Sequence, residues 1–327
     1  MKRVLLLLAL TVAIVSCSAP RGASDAYRGR YPNRAAAIAA QIHDPNSKYV
    51  IVACHRGDWR NFPENSIPAI ESVIKMGADI VEIDLKMTAD SVLVLSHDTD
   101  VKRCTNFSSV FRLNPRKRSR VRDLTLAEIK SLSLKRAQGA AIDTLRIPTL
   151  REALLCTRDR ICVNVDQGYE YYDQVLAIAE ELGVTDQILI KSSRQLQEVA
   201  EREAAHPRNV MYMPVVNIQT AAGLTLFNSY ISEGVTPLAY EVCWKSNDDG
   251  LFRSVCRRIL NQGAKIWVNT LWPTLCGGYG NDDDAAYMAK DPGEVYQQYI
   301  DNGVSMIQTD RPELLIGWLK KKGLHNL

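Results

Sequence analysis

Short apolar runs alternate with helical patterns eight times from residue 49 onward, and this alternation limits the fold more than any other feature. Apolar runs at 49–53, 80–87, 161–165, 188–190, 210–214, 238–242, 265–269 and 306–308 read as strands. Helical patterns follow at 67–75, 149–156, 171–182, 194–203, 220–229, 251–261, 292–302 and 312–321. Gly77, Gly183, Gly263 and Gly303 sit near the helix ends, where a left-handed residue stops the helix. Parallel strands need crossovers, so alternating strand and helix implies a parallel sheet with helices outside. Eight such units in roughly 280 residues predict an α/β fold closed as a (β/α)8 TIM barrel, not an open sheet.

One segment does not fit a plain barrel. Residues 97–147 are too many for a βα loop, and they predict a short insertion after the second strand. A strand over 92–95 leads into it, and it holds a helix over 126–132. It also holds the basic run Pro115-Arg116-Lys117-Arg118-Ser119-Arg120-Val121-Arg122. Such a run is ordinarily a solvated face; its sharper reading is a surface for phosphate or anionic headgroups.

The chain has 327 residues and a formal charge of +3, which gives no signal for nucleic acid. Lys2 and Arg3 precede an apolar run over 4–15, too short for a mature membrane span. The run ends in Ile14-Val15-Ser16-Cys17, which resembles a bacterial lipobox. The expectation is a signal peptide over 1–17, a small polar tether over 18–33, and one catalytic domain over 34–327 that opens with a helix at 34–42. The protein would be an exported bacterial lipoprotein, held to a membrane through Cys17 and facing the periplasm or the cell surface. Of eight cysteines, seven lie beyond the leader, so at least one is unpaired; Cys156 and Cys162 are a candidate disulfide. No CxxC pair points to zinc.

Residues able to do chemistry cluster at the predicted strand ends, where barrels of this type carry their sites. His55 and Arg56 end the first strand, and Gly57 lets the backbone turn there. Glu82 and Asp84 are two apart on the second strand, so both face one way. Two carboxylates side by side repel unless a cation lies between them. Hard oxygen ligands without cysteine suit Mg²⁺ or Ca²⁺. A solvated alternating strand is the alternative, and it fails if Ile80, Val81 and Ile83 are all buried. His97 follows in Leu95-Ser96-His97-Asp98. Two histidines, an arginine and a carboxylate pair make an acid–base set with a phosphate clamp.

These segments closely resemble the glycerophosphodiester phosphodiesterase family. The resemblance rests on His55-Arg56-Gly57, Pro63-Glu64-Asn65-Ser66, Gly77-Ala78-Asp79, Glu82-Ile83-Asp84, Thr88-Ala89-Asp90, His97-Asp98, Arg146-Ile147-Pro148-Thr149-Leu150 and Gln308-Thr309-Asp310-Arg311-Pro312. It runs over roughly residues 49–320. It implies a (β/α)8 barrel, with Glu82 and Asp84 binding a divalent metal and His55 and His97 carrying protons. Arg56 would hold the phosphate, and Glu64 would support the metal and substrate. The implied substrate is a small glycerophosphodiester. By that resemblance a glycerol hydroxyl would attack phosphorus, and a water would then open the cyclic intermediate.

Two positions depart from the family pattern. The third strand usually ends in glutamate, with lysine two residues later. Here Asp166 stands at the glutamate position and remains a candidate metal ligand, while Gly168 stands at the lysine position. Lys191, ending the fourth strand, is the expected replacement cation. Glu241, Trp244, Lys245, Trp267, Asn269 and Trp272 are candidate specificity residues near later strand ends, each equally readable as core. The acidic run Asn281-Asp282-Asp283-Asp284 reads as a solvated loop, with calcium binding as the sharper option. Two other functions stand beside the phosphodiesterase: a degenerate barrel that binds phosphodiester headgroups or envelope polymers without turnover, and a phospholipase-like enzyme on intact lipid.

Overall fold

Eight parallel strands form the barrel: β1 Ile51–Cys54, β2 Ile80–Met87, β3 Cys162–Asp166, β4 Ile188–Ser192, β5 Met211–Asn217, β6 Ala239–Lys245, β7 Lys265–Asn269 and β8 Met306–Thr309. They pair in sequence from β2 to β8 except that β8 also pairs with β1, and a β1–β2 pairing closes the ring. The computed structural model describes residue 27 and residues 29–114, 116–136, 139–206, 210–245, 249–272, 277–278 and 282–327. The expected signal peptide and Cys17, most of the expected tether, and Cys276 and Asn281 lie outside the described residues.

Alternation along each strand divides the core in two. Ile51, Ala53, Ile80, Cys162, Met213 and Trp267 fill the barrel interior. Val52, Val81, Ile83, Val163 and Val165 face outward onto the helices. Ile80, Val81 and Ile83 are all fully buried, so β2 has no solvent face. The solvated-strand alternative for Glu82 and Asp84 fails on that count.

The helices are fixed by local chemistry at their ends. Ser66 accepts from Ala69 N at the start of Ile67–Met76, and Gly77 ends that helix with φ 90°. Thr149 and Glu152 form a capping box on Leu150–Thr157. Arg34, on the leading helix Arg34–His43, donates to Ala78 O at 2.6 Å and to Asp79 Oδ1 at 3.1 Å. Tyr49 Oη donates to the same Asp79 oxygen at 2.8 Å, so a buried polar knot seals the barrel's N-terminal end.

The insertion after β2 is a small body of its own. The strand Leu93–Leu95 adds antiparallel to β2, pairing Leu95 with Leu85. Val101, Phe107, Leu124, Ile129 and Leu132 form its separate core. Its helix ends at Lys130, two residues short of the sequence expectation. Within the basic run, Lys117 pairs with Glu128 and Arg118 lies 3.9 Å from Asp123. Cys156 and Cys162 are separate thiols: Cys156 donates to Glu71 at 3.3 Å, and Cys162 turns toward Ala35 O at 3.6 Å. The candidate disulfide is therefore absent, because one side chain lies on the helix face and the other inside the barrel.

Candidate active site

The C-terminal ends of β1, β2 and β3 bring the acidic groups together. Pairing of β2 with β3 sets Asp84 directly beside Asp166, and Glu82 lies one inward step below. Ligand atoms of Glu82, Asp84 and Asp166 all lie within 4.8 Å of one another. Burial, then repulsion from Asp84 and Asp166, pushes the Glu82 carboxyl well above the ordinary carboxylate range. Burial raises Asp166 too, against the opposing charge of Lys191. Asp84 Oδ1 is buried with no hydrogen-bond donor. An orphaned carboxylate oxygen in a triad of crowded carboxylates fits a hard divalent cation such as Mg²⁺ or Ca²⁺.

Around this triad, the turn after β1 is strained into place. Arg56 has φ 54° and Asn65 φ 57°, both in the left-handed region that non-glycine residues avoid. Gly57 has φ 72°, and a Cβ there would lie 3.0 Å from Ala69 backbone, so the turn packs directly on the helix. The strain is repaid by contacts with the acidic groups. Arg56 N donates to Glu82 Oε2 at 2.6 Å. Asn65 Nδ2 donates to Asp84 Oδ2 at 2.8 Å, and Asn65 Oδ1 accepts from Asp84 N at 3.0 Å. The Arg56 side chain donates to Glu64 at 3.2 Å and has its Nε 3.6 Å from Asp84 Oδ2.

Each histidine is backed by an aspartate. Buried His55 has Nδ1 2.9 Å from Asp310 Oδ1, and Trp59 Nε1 donates to the same oxygen at 2.5 Å. The Trp272 ring meets His55 edge-on at 5.4 Å. His97 is half-exposed, with Nδ1 2.8 Å from Asp98 Oδ1. A carboxylate at Nδ1 holds a proton there and leaves Nε2 for the substrate. Arg103 joins the two flanks, donating to Asp98 at 2.6 Å and to Glu64 at 2.6 and 2.7 Å. Its hydrogen bond is the main reason that the Asp98 carboxyl falls to about 2. Burial would raise Glu64, but the Arg103 hydrogen bonds and the Arg56 charge bring it below its ordinary value.

Lys191, the expected replacement cation for the phosphate, points into the barrel, and its side-chain partners are Glu241 and Gln308. Its Nζ lies 2.8 Å from Glu241 Oε2, 3.4 Å from Gln308 Oε1 and 5.0 Å from the Trp267 ring centroid. Burial opposes its charge, yet Glu241, Asp166 and Glu82 keep it protonated. Glu241 also accepts from Asn269 at 2.7 Å. Of the candidate specificity residues, Glu241, Trp267 and Asn269 build this floor and Trp272 reaches a catalytic candidate. Trp244 stacks on Phe252 at 3.8 Å in the outer core, and Lys245 is exposed. Trp244 leaves the candidate list, because the β6 alternation turns it outward from the Glu241 face, whereas Lys245 shares that face at the exposed end of the strand and stays on it.

Sequence reasoning missed Arg103, Trp59, the partner role of Asp310, and Lys86. Arg103 follows His97-Asp98 by five residues, and Lys86 continues the inward row of Glu82 and Asp84. Those spacings were the available signals. The pairing of Asp310 with His55 spans 255 residues, and no local pattern carries it.

Residues 55–221 match the family model described as the glycerophosphoryl diester phosphodiesterase family. Residues 212–319 match a second model, described as a domain of unknown function. The glycerophosphodiester phosphodiesterase of Caldanaerobacter subterraneus subsp. tengcongensis is 32% identical over 149 residues, 43% of this chain and 57% of the relative. Glycerophosphodiester phosphodiesterase 1 of Bos taurus is 34% identical over 137 residues, 41% of this chain and 38% of that protein. The chain thus spans about half the length of the first curated relatives it matches, 57% and 49%. A solved glycerophosphoryl diester phosphodiesterase from Parabacteroides distasonis superposes with a TM-score of 0.68 at 22% identity, over 87% of this chain and 91% of the other. A phosphodiesterase from Oleispira antarctica, solved with the product sn-glycerol-3-phosphate, gives 0.58 at 17% identity, over 83% and 96%. At those identities the likeness speaks to the fold.

Proposed function

The chain belongs to the glycerophosphoryl diester phosphodiesterase family, and from that premise we propose that it hydrolyses glycerophosphodiesters to glycerol 3-phosphate and an alcohol, with a divalent metal. One observation carries the proposal: the Glu82, Asp84 and Asp166 oxygens converge beside Arg56 and a histidine that an aspartate orients. Glu82, Asp84 and Asp166 would hold the metal. When bound, it supplies a Lewis acid that offsets charge on phosphate oxygens and lowers the pKa of a hydroxyl.

The chain's own residues account for the proton movements. His55, with Asp310 behind Nδ1, takes the proton of a glycerol hydroxyl at Nε2 as that oxygen bonds to phosphorus. Asp310 stabilises the imidazolium that results. His97 gives its Nε2 proton to the alcohol oxygen as the old phosphorus–oxygen bond breaks. In the second half a water loses its proton to His97 Nε2 and bonds to phosphorus. The ring oxygen leaves with the proton that His55 held. Arg56 faces the non-bridging oxygens, kept in position by Glu64, and Arg103 holds Glu64. Lys191 supports the triad from below by placing a positive charge beside Asp166 and Glu82.

A panel of glycerophosphodiesters and intact lipids, assayed with Mg²⁺, Ca²⁺ and a chelator, tests the reading. Metal-dependent release of glycerol 3-phosphate supports it. Binding without turnover would favour the degenerate barrel, which Gly168 alone recommends. A second reading, intact lipid as substrate, has one observation in its favour. Leu113 and Val110 of the insertion are exposed beside Arg112 and Arg116. Cleavage of intact lipid alone would select it. We also hold the lipobox proposal, with export and anchoring through Cys17. Among the described residues no helix is long and apolar enough to cross a membrane. Radiolabelled palmitate incorporation lost in Cys17→Ser checks the anchor.

A further inference from the structure

The metal triad leaves open which cation, besides Arg56, meets the phosphate. Gly168 cannot carry one. An added Cβ there would lie 2.8 Å from Val165 Cγ1 and 3.2 Å from Val165 Cβ, in a buried turn. A longer side chain at this position would have to push the Val165 side chain aside. Lys191 is engaged elsewhere: Glu241 offsets its charge at 2.8 Å and Gln308 takes a further hydrogen bond at 3.4 Å, both in the barrel floor.

Lys86 stands in a different setting. It occupies the next inward position of β2 after Glu82 and Asp84, one step nearer the mouth. It is half-buried, and its charged neighbours are Asp84, Asp166, Asp98 and Arg56. That set spans the metal triad, the His97 flank and the phosphate-facing arginine. Its ammonium donates to Leu85 O at 3.2 Å and to Gln167 Oε1, both neutral acceptors. Gln167 follows Asp166 directly and has φ 58°, which turns the chain at the mouth of β3. Neutral acceptors order an ammonium without offsetting its charge, so an incoming anion can take their place.

Resting on the phosphodiesterase reading, we propose that Lys86 binds a non-bridging oxygen of the substrate phosphate together with Arg56, and that Gln167 holds its ammonium when no substrate is present. The pentacoordinate transition state carries more negative charge on those oxygens than the diester. A cation fixed at the mouth therefore contributes more during the reaction than on binding.

The experiment compares the metal-loaded wild type with Lys86→Met, Lys86→Arg and Lys191→Met. Calorimetry measures glycerol 3-phosphate affinity and, separately, Mg²⁺ or Ca²⁺ affinity; kinetics follow. Lys86→Met should weaken glycerol 3-phosphate binding about 10- to 100-fold, the range for one charge-assisted hydrogen bond. Its metal affinity should stay level or rise, because a positive charge beside the carboxylates is gone. Lys86→Arg should recover part of the anion affinity. Lys191→Met should instead disturb metal affinity more than anion affinity. Unchanged glycerol 3-phosphate affinity in Lys86→Met would overturn the proposal. Parallel loss of anion and metal affinity would do the same, by showing a purely structural role. A wild type that binds no glycerol 3-phosphate would end it as well. Wild-type binding of the anion without turnover of any diester would remove the phosphodiesterase reading and leave Lys86 to be judged on binding alone.

Discussion

His55 and His97 differ in one respect that bears on the reaction: burial. His55 and Asp310 are enclosed, while His97 and Asp98 are open to solvent and share Asp98 with Arg103. The enclosed pair suits a base whose charged form needs a fixed counterion, and the open pair suits an acid at a departing alcohol. Substituting either histidine with alanine should lower the rate by roughly 10²–10⁴. The double variant should lose much less than the product of the two, because each alone already removes the concerted path. Steady-state kcat for the three variants checks this, and near-normal kcat of His97→Ala on a substrate with a poor leaving group would remove His97 as the acid. At this scale the sequence was legible where chemistry is local. His55-Arg56-Gly57 and Glu82-Ile83-Asp84 announce themselves by type and spacing. Asp310, Trp59 and Arg103 do not, because their roles depend on which strand ends meet in space. Lys86 was within reach, since the period-two rule that paired Glu82 with Asp84 extends to it.

Among the elements, the strand at Ile80–Met87 and the one at Lys265–Asn269 match their sequence expectation to the residue. Both are apolar runs bounded by turn residues, the pattern that strands follow most reliably. The acidic run near 282 is the instructive failure. It was expected to be a solvated loop, but Asp282–Met288 is a helix whose first two aspartates are buried. Asp283 accepts from Thr270 at 2.8 Å, Thr309 at 2.7 Å, Tyr296 at 3.0 Å and Asp310 N at 2.6 Å. Those partners come from the residue just after β7, the C-terminal end of β8 and the residue just after it, and the helix Gly293–Asp301, and composition cannot reveal them. The result is a clasp on the residue that orients His55. Burial pushes the Asp283 carboxyl up to about 7, against its hydrogen bonds, with Asp310 adding repulsion. A carboxyl raised above its unfolded value of about 4 holds its proton longer in the folded chain. Stability from this group should therefore fall as pH rises from about 4 to about 7, by up to roughly 1.4 kcal/mol per pH unit. Urea unfolding at pH 5 and pH 8 should show a smaller decline in Asp283→Asn than in the wild type. Equal declines would mean that Asp283 is ionised across this range.

Across the whole molecule, the barrel closes by joining strands from both matched regions. β1, β2, β3 and β4 lie within 55–221 or just before it, while β6, β7 and β8 lie within 212–319. The site draws on both: the candidate metal ligands and the two histidines from the first, and Glu241, Asn269, Gln308 and Asp310 from the second. The eightfold alternation made the closure legible from sequence, because eight βα units in roughly 280 residues favour a closed barrel over an open sheet. The floor beneath the triad was less legible, since Lys191, Glu241 and Gln308 meet only across the closed ring. The proposed activity of the whole protein rests on the triad. Glu82→Gln with Asp84→Asn removes two charges and nearly keeps shape, so metal affinity and turnover should both be lost while the fold stays intact. The direct measurement is release of glycerol 3-phosphate from a glycerophosphodiester, followed by phosphorus-31 NMR with Mg²⁺ or Ca²⁺ and with chelator. Release should occur in the wild type with metal, stop on chelation, and be absent in the double variant. Release that persists in chelator or in the double variant, or no release with either metal, would contradict a metal-dependent phosphodiesterase built on Glu82, Asp84 and Asp166.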